Sequence, residues 1–539
     1  MTELRHIEAI KNGDFSGLPI ACGTTAVNMT GSWKFFRPAL KPKKSPCLEA
    51  CPLHIAIADY MQEFSAGNHL KALEIIRKDN PLPAVTGRVC PNFCQSACNR
   101  TDFDEAVLIG NIERALGDLG LTQPHTIENK NCKEKVAVIG SGPAGLAAAV
   151  FLARQGVQVT IFEQAEKPGG LLRYGIPAYR LPRRILDQEI KNIIASYEID
   201  LRCSQKIKPA DFDNLQQEYD AVIAAPGLAQ SSIPEGWPET AKVKGALEIL
   251  AAISRNEPID GENFVIIGGG NAALDAARSL KRLGKDVKII YRRTINEMPA
   301  YPDEITEALA EGLPIQEEII VEKVTDNGSS LELDLHWSRK NGDRREAGDF
   351  LETITTDGLI AATGQKSDSS FEDCGPDLLK AGDFAHGAAS VAEALASGRK
   401  AAETILRKFD LLSEEPAAEQ EEKNRSPITF EQLHLNYYTK KPASKIPELD
   451  AAARTADFSE IHPGLSLEKL ESEAGRCLSC GSCTACGICW FFCPDVAIVI
   501  NRESDKPESK ILFDYDHCKG CGQCAEVCPR GVIEMEEDL

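Results

Sequence analysis

Two cysteine runs in the last part of the chain have the spacing that holds iron–sulfur clusters. Each run reads C-x2-C-x2-C-x3-C-P, with cysteines at Cys483, Cys486, Cys489 and Cys493 and again at Cys518, Cys521, Cys524 and Cys528. Where two such runs occur together, the fourth cysteine of each run binds the cluster of the other run. We therefore predict that Cys528 joins the first three cysteines at one [4Fe-4S] cluster and that Cys493 joins the second three. Zinc and disulfides are the competing interpretations, and the repeat of the run favours clusters.

A glycine-rich turn follows a strand pattern and precedes a helix pattern in VAVIGSGPAGLAAA, and the next strand pattern, VTIFE, ends in an acid. The residues that matter are Gly140, Gly142, Pro143, Ala144, Gly145 and Glu163. Glycines at this spacing let the backbone approach a pyrophosphate at a helix N-terminus, and the acid can accept hydrogen bonds from a ribose hydroxyl. The sequence therefore predicts an FAD site, and a glycine-rich turn without a ligand is the alternative.

A second turn, in FVIIGGGNAALDAARSL, has the same frame but a different end to its next strand pattern, which reads KIIYRR. The turn contains Gly268, Gly270, Asn271 and Ala273. Arg292 and Arg293 stand where the ribose-discriminating residue belongs, and arginine there accommodates a 2'-phosphate. The sequence therefore predicts NADPH in preference to NADH. Solvated cations at a strand end are the alternative interpretation.

Further along, small residues and an acid precede another helix pattern. The run LIAATG ends at Gly364, Gly382 and Asp383 follow, and a helix pattern begins near Ser390. The N-terminus of such a helix can face the negative edge of a reduced flavin, while Asp383 can bind ribityl hydroxyls. We predict that these residues complete the FAD site.

Composition limits the classes of protein that fit. The chain has 539 residues, 19 cysteines and a formal charge of -21, which argues against a nucleic-acid partner. The start MTELRHIEAIKNGDF has no signal-peptide core, so the cysteines predict metal ligation in a reducing, cytoplasmic compartment. The uncharged stretch VAVIGSGPAGLAAAVFLA is nearly long enough to span a bilayer. Its glycines and Pro143 fit a strand, a turn and a helix, so no membrane segment is expected.

The order of these patterns predicts a multi-domain α/β chain with two nested Rossmann-like domains. Helical apolar spacing dominates the first part, strand and helix patterns alternate after it, and an acidic proline-containing stretch precedes the last cysteine runs. The predicted domains are a helical [4Fe-4S] domain at 1–128, an FAD domain at 129–262 and 358–409, an NAD(P)H domain at 263–357, an acidic linker and connecting segment at 410–463, and a two-cluster ferredoxin domain at 464–539.

Several strings together resemble the glutamate synthase small-subunit family, which includes flavoprotein subunits of transhydrogenases and the flavin half of dihydropyrimidine dehydrogenase. They are GRVCPNFCQSAC, KPGGLLRYGIPAYRLP with Gly170, IIGGGNAALDAAR and YRRTINEMPA. The string RCLSCGSCTACGICWFFCPD resembles the subgroup that has a ferredoxin domain at its C-terminus, found in subunits that feed 2-oxoacid oxidoreductases or dissimilatory sulfite reductase. The resemblance implies an electron-input subunit.

The resemblance also implies two [4Fe-4S] clusters in the helical domain. The family's pattern begins with R-C-x2-C shortly before the cysteines that match Cys47 and Cys51, but residues 41–46 contain no cysteine. The same string occurs at 476–480 and is surplus to the ferredoxin runs. We infer that its cysteines bind a cluster together with two from the helical domain, and free thiols are the alternative. The inferred ligands are Cys47, Cys98, Cys477 and Cys480.

The second cluster of the helical domain is implied to use Cys51, Cys90 and Cys94. Glu113 stands where the family has a ligand other than cysteine. A carboxylate is a harder ligand than a thiolate, so it should alter the potential of that cluster. The alternative is that Glu113, in the string IER, is an exposed helix charge.

Together these patterns predict an NAD(P)H-dependent FAD and iron–sulfur oxidoreductase with four [4Fe-4S] clusters. Hydride is expected to pass from the nicotinamide to the flavin, and electrons to pass singly through the clusters, so no acid–base residue is required. The expected partner is a protein subunit in a hetero-oligomeric complex, such as a 2-oxoacid oxidoreductase, a sulfite reductase, a glutamate synthase large subunit or a ferredoxin. Reduction of a small molecule by this chain alone and a non-catalytic wiring subunit are the other hypotheses.

Overall fold

The computed structural model describes residues 29–125, 130, 132–228, 230–342, 344–366, 378–412, 426–502, 504 and 509–538. The chain divides into two compact units. The large unit comprises residues 46–423 and 441–477, and the small unit comprises residues 1–45, 424–440 and 478–539. Much of the predicted acidic linker, residues 413–425, lies outside the described residues. In the part of the chain that is described, no helix is long and apolar enough to cross a bilayer.

The first part of the large unit is helical, as the cysteine-interrupted apolar spacing predicted. Ile57, Tyr60, Met61 and Phe64 recur every three or four residues, so one face of their helix is buried. The helices are α1 (Pro46–Ala50), α2 (Ile57–Ser65), α3 (His69–Asp79), α4 (Pro83–Val89), α5 (Phe93–Ser96), α6 (Arg100–Phe103) and α7 (Ile109–Gly120).

A first parallel sheet carries the first glycine-rich turn. Its strands are β2 (Lys135–Ile139), β3 (Gln158–Phe162), β4 (Asp200–Arg202), β5 (Ala221–Ala224) and β16 (Leu378–Lys380), in the order β16-β5-β2-β3-β4. Its helices are α8 (Pro143–Ala153), α9 (Leu171–Tyr174), α10 (Arg183–Ser196), α11 (Phe212–Glu218), α15 (Asp383–His386) and α16 (Val391–Lys408). Helix α16 packs tightly on α8, because a Cβ on Gly398 would lie 2.0 Å from the carbonyl oxygen of Ala144.

A second parallel sheet lies between β5 and β16 in the sequence and carries the second turn, so the two Rossmann-like domains are nested as predicted. The strands of this part are β6 (Gln230–Ser231), β7 (Val243–Gly245), β8 (Asn263–Ile267), β9 (Asp286–Ile290), β10 (Ile315–Gln316), β11 (Ile319–Asp326), β12 (Leu331–Asn341), β13 (Arg344–Thr356), β14 (Gly358–Ala361) and β15 (Gln365–Lys366). The order in the parallel sheet is β10-β9-β8-β14-β7, and an antiparallel sheet β11-β12-β13 and a strand pair β6-β15 accompany it. The helices are α12 (Ala246–Ser254), α13 (Asn271–Arg282) and α14 (Pro302–Ala310).

The segment at 441–477 completes the large unit with helices α17 (Ala451–Thr455) and α18 (Leu467–Ala474). Between these helices, Glu460 forms ion pairs with arginines of α4 and α7. The amide of Ile461 donates to the backbone between α9 and α10. His462 Nε2 lies 3.0 Å from the carboxylate of Glu307 in α14. This segment therefore contacts the helical part and the parts built on both parallel sheets.

The small unit has the short elements expected of a two-cluster ferredoxin domain. Strand β17 (Ile498–Ile500) pairs antiparallel with β18 (Ile511–Phe513), and β1 (Phe36–Leu40) pairs antiparallel with β19 (Ile533–Glu537). Helices α19 (Ile488–Phe491) and α20 (Gln523–Glu526) lie within the two cysteine runs. Both parts of the repeated sequence thus contain a short helix at the same place.

Candidate cofactor and cluster sites

Two positions of the first glycine-rich turn, Gly140 and Gly145, have no room for a side chain. Gly140 has a φ of +100°, and a Cβ there would lie 2.3 Å from the carbonyl oxygen of Ala225. Gly145 is as tightly enclosed, since its Cβ would lie 2.0 Å from Gly140 O. Gly142 differs, because a Cβ on it would meet nothing within 4 Å. The turn is therefore packed on the protein side and open in front of the start of α8, which begins with Pro143 and Ala144 and fits a pyrophosphate.

Glu163 follows β3 directly and is buried against the same turn. Its Oε2 accepts hydrogen bonds from the amide and the hydroxyl of Ser141, at 3.0 and 2.5 Å, and its Oε1 accepts from the amide of Ala165 at 2.7 Å. Each carboxylate oxygen has two lone pairs, so the carboxylate can still accept from a ribose hydroxyl. Glu163 therefore holds the backbone of the glycine-rich turn through Ser141, and its contact with a ribose stays a prediction.

Later parts of the chain come back to this turn. Cβ atoms built on Gly170 and Gly382 would lie 2.9 Å from Gly142 Cα and 2.8 Å from Ala144 Cβ, respectively. Asp383 follows, and its buried Oδ1 has no hydrogen-bond partner among the described residues. Burial raises the pKa of Asp383 to about 6. An unsatisfied buried oxygen beside an open glycine turn is what a ligand hydroxyl would pair with, so these residues fit FAD.

The two remaining predicted FAD residues lie at different places. Ser390 caps α16, where its hydroxyl accepts from the amide of Glu393 at 3.2 Å. Gly364 follows β14 with a φ of +134°, and its carbonyl accepts from the amide of Ser232 at 2.9 Å. Gly364 thus contacts the connection between the two parallel sheets.

The second glycine-rich turn repeats the geometry of the first. Gly268 has a φ of +142°, and a Cβ there would lie 2.4 Å from Ala362 O. A Cβ on Gly270, in contrast, would meet nothing within 4 Å. Asn271 Oδ1 accepts from the amide of Tyr301 at 3.0 Å, and Ala273 is fully buried in α13.

The two predicted phosphate-binding arginines follow β9. Arg292 is exposed and Arg293 is partly exposed. Within the described ranges, the ion pairs do not include either guanidinium group. Free guanidinium groups at this position fit a phosphate.

The structure brings Cys51, Cys90, Cys94 and Glu113 together in the helical part, and we call these four residues the Glu113 site. Burial raises the pKa of each of the three thiols, to about 12 for Cys90, and the neighbouring Glu113 carboxylate raises them further. Buried thiols ionise only when a cation compensates their charge. The donor set therefore fits a cluster.

Glu113 itself is buried, with 8% of its surface exposed, so the interpretation as an exposed helix charge is wrong. Burial raises its pKa to about 7, although hydrogen bonds from Thr86 and Asn80 act in the opposite direction. Among the ion pairs of the described residues, none includes Glu113. A buried carboxylate without a cation takes up a proton unless a metal centre supplies the positive charge.

The other cluster of the helical part was predicted to draw on two distant segments. Cys47, Cys98 and Cys477 are partly buried and pack on the same core of the large unit. Arg100, which follows Cys98 by two residues, donates a hydrogen bond to the carbonyl oxygen of Arg476, the residue before Cys477. Cys480 belongs to the small unit and packs near Ile428 and Leu433 there, so its role stays a prediction.

In the small unit the cysteines of the two runs lie near one another, and their assignment to two clusters stays a prediction. One cavity is lined by Cys493 together with the second trio. The thiolates of Cys518, Cys493 and Cys521 add to the burial that raises the pKa of Cys524 to about 12. Burial also raises the pKa of Cys489, and its cysteine neighbours are Cys486, Cys528, Cys483 and Cys524.

Sequence reasoning did not find the polar residues around the Glu113 site. Asn80 and Thr86 are both buried and both donate hydrogen bonds to the carboxylate. Their signal in the sequence is their place in NPLPAVTGRVC, the string that leads into Cys90. Spacing alone gives no reason to select them.

Family models match three parts of the chain. Residues 134–385 match pyridine nucleotide-disulphide oxidoreductase, residues 38–124 match dihydropyrimidine dehydrogenase domain II with a 4Fe-4S cluster, and residues 482–532 match the 4Fe-4S dicluster domain. These ranges contain both glycine-rich turns, the Glu113 site and both ferredoxin runs.

Curated relatives match across most of the chain. It is 31% identical over 500 residues to NADP(+)-dependent formate dehydrogenase subunit beta of Moorella thermoacetica, covering 81% of this chain and 70% of that protein. It is 34% identical to NADPH-Fe(3+) oxidoreductase subunit beta of Geobacter sulfurreducens, covering 62% and 53%. It is 31% identical to NAD-dependent dihydropyrimidine dehydrogenase subunit PreT of Salmonella typhimurium, covering 67% and 90%. The chain thus spans only about half the length of the Geobacter protein.

Proposed function

Since this chain belongs to the pyridine nucleotide-disulphide oxidoreductases that carry 4Fe-4S domains, we propose that it is an electron-input subunit of the glutamate synthase small-subunit type. It is an NAD(P)H-linked oxidoreductase that uses FAD and iron–sulfur clusters. The finer proposal is that NADPH is the nucleotide, that four [4Fe-4S] clusters form the electron path, and that a protein subunit receives or supplies the electrons.

One observation carries the proposal: the large unit holds two open glycine turns of the same geometry together with the Glu113 site. Bound FAD and clusters would supply the change from two-electron hydride transfer to one-electron transfer. The chain's own residues would hold them. Gly142 and Gly270 leave room for the two pyrophosphates, Asp383 offers an unsatisfied oxygen to the flavin's ribityl chain, and free guanidinium groups follow β9.

The parts that carry the two turns are joined by buried ion pairs, which supports a fixed distance between the nucleotides. Arg180, between α9 and α10, binds both oxygens of Asp275 in α13, at 3.1 and 2.8 Å. The same guanidinium group lies 2.6 Å from Glu304 in α14. Arg180 belongs to the first sheet's part, and both carboxylates belong to the second.

The partner and the compartment are also part of the proposal. Two of the relatives described above are named as beta subunits, which supports a complex with an electron-transfer partner. Cluster-binding thiolates persist in reducing compartments, so we place the protein in the cytoplasm. For the domain boundaries, the proposal follows the division of the chain into two units: β1 (Phe36–Leu40) pairs with β19 and so goes with the ferredoxin domain instead of the helical domain, and residues 464–477 go with the large unit. The string at 476–480 is proposed to serve the helical domain.

Anaerobic purification followed by cofactor analysis and nucleotide titration tests this function. We expect one FAD and about sixteen irons per chain, and loss of the visible flavin absorbance on addition of NADPH. NADPH should act at lower concentration than NADH. A protein that binds no flavin, or whose bound flavin does not respond to either nucleotide, would exclude the proposed activity.

A further inference from the structure

We propose that Asn80 and Thr86 are positioning residues that determine which oxygen of Glu113 faces the cluster at the Glu113 site, and that they raise the reduction potential of that cluster. The inference rests on the proposed function, since it requires Glu113 to be a cluster ligand. It concerns residues that neither the family models nor the cysteine spacing assigns to the cluster.

Both side chains donate to the same carboxylate oxygen. Asn80 Nδ2 lies 3.0 Å from Glu113 Oε1, and Thr86 Oγ1 lies 2.5 Å from the same atom. The hydrogen bonds described for Glu113 thus converge on Oε1. Oε2 is therefore the oxygen that would remain for iron. Two donors on Oε1 also prevent the carboxylate from rotating so that its two oxygens change places.

The orientation of the amide is fixed by the backbone. The amide of Leu82 donates to Asn80 Oδ1 at 2.9 Å, so the carbonyl end of the Asn80 side chain points away from the carboxylate. Its Nδ2 must therefore face Glu113 and Thr86, and it lies 2.7 Å from Thr86 Oγ1. Asn80 is fully buried and Thr86 is 2% exposed, so water does not replace either donor.

The hydroxyl has one proton, and the amide determines where that proton goes. Because Asn80 donates to Thr86 Oγ1, the hydroxyl of Thr86 acts as the donor toward Glu113 Oε1 or the carbonyl of Leu82, which lies at 3.0 Å. The Glu113 carboxylate is both nearer and charged, so the Thr86 hydroxyl donates its hydrogen bond to Glu113 Oε1. Asn80 and Thr86 therefore form one donor pair.

Hydrogen bonds to the outer oxygen of a carboxylate withdraw electron density from the ligand. A weaker electron-donating ligand favours the reduced state of a cluster, because less negative charge accumulates at the metal. Loss of a donor should therefore move the potential of this cluster to more negative values. The same loss should change its spectrum without releasing its iron.

The decisive variant is Thr86→Val, which keeps the shape of the side chain and removes the hydroxyl. Thr86→Ser restores the hydroxyl. Thr122→Val is the matched control, because among the described residues the exposed Thr122 hydroxyl donates to a backbone carbonyl at the end of α7. Glu113→Ala identifies the cluster, since that variant should lose about four irons and one component of the reduced EPR spectrum. Redox titration of the full chain, followed by EPR, measures the potential of that component.

We expect Thr86→Val to keep its iron and FAD, to shift the potential of the identified component to more negative values, and to alter its g-values. Thr86→Ser and Thr122→Val should match the wild type. If Thr86→Val does not fold, Thr86→Ala, which also removes the hydroxyl and adds no charge, should give the same negative shift.

Two outcomes would overturn the inference. The first is a Thr86→Val or Thr86→Ala protein whose identified component has the potential and g-values of the wild type. The second is a Glu113→Ala protein that retains all its iron, since Glu113 would then not be a ligand. Failure of the proposed function appears differently, as a wild-type protein whose flavin does not respond to NADPH.

Discussion

Glu311, directly after α14, is a buried carboxylate, and the stability lost when its charge is removed can be worked out from its ion pairs. Its side chain has no solvent exposure, and neither do the guanidinium groups of Arg278 and Arg282, which it binds. The hydrogen bonds are between 2.7 and 3.1 Å long. The variant Glu311→Gln keeps the volume of the side chain and removes its charge. It therefore leaves both arginines buried beside a neutral amide.

The two arginines are not affected equally. Arg278 keeps ion pairs with Glu304 and Glu307, at 2.6 and 2.8 Å. Among the described ion pairs of Arg282, however, Glu311 is the carboxylate that balances it. Removing one partner of a buried ion pair lowers the free energy of unfolding by about 3–5 kcal/mol. Because Arg278 keeps two carboxylate partners, we expect a loss near the lower end of this range, at about 3 kcal/mol. Helix α13, which carries both arginines, should therefore open more often.

Hydrogen exchange measured by mass spectrometry reports the opening of α13 directly. Since about 1.4 kcal/mol corresponds to a factor of ten, amides of α13 should exchange about 100-fold faster in Glu311→Gln. Glu262→Gln is the control, because its ion pair with Lys285 involves a carboxylate side chain that is 76% exposed. Such a pair contributes about 0–1 kcal/mol. Equal exchange in the two variants would refute the argument that burial makes Glu311 costly to replace.

Three further predictions concern nucleotide choice, cluster ligation and pH. Replacing Arg292 and Arg293 together by alanine should raise the KM for NADPH about tenfold or more and leave that for NADH nearly unchanged, and equal effects on both would exclude a 2'-phosphate contact. Replacing Cys477 and Cys480 by serine should remove about four irons while NADPH still reduces the flavin, and unchanged iron content would return both residues to ordinary thiols. Burial, aided by neighbouring guanidinium groups, lowers the pKa of His125 to about 3 from 6.5, so the unfolded chain binds its proton first as pH falls. Stability should decrease from pH 6.5 toward 3, and His125→Gln should show a smaller decrease in chemical denaturation.

The sequence alone was sufficient for the features that depend on local geometry. A glycine turn between a strand and a helix requires residues that are adjacent in the chain, so Gly140, Gly145 and Gly268 could be recognised from spacing, and the structure gives each of them a close backbone contact or a positive φ. The nested order of the parallel sheets also followed from the order of the patterns. The crossed assignment of the two cysteine runs rests on their shared spacing and stays a prediction.

Tertiary structure decided the features that depend on burial and on distant partners. From its position in the sequence, Glu113 could be either a cluster ligand or an exposed helix charge. Only the structure shows that its carboxylate is buried, beside Asn80, which follows α3, and Thr86 in α4. The contacts of Glu460, Ile461 and His462 with three parts of the large unit could not be predicted from a segment whose sequence is typical of a connection. Helical and strand periodicity report which face of an element is buried, but they do not report which distant side chain will pack against it. That choice is made by the packing of the whole unit, and the same packing sets the environment of the Glu113 carboxylate.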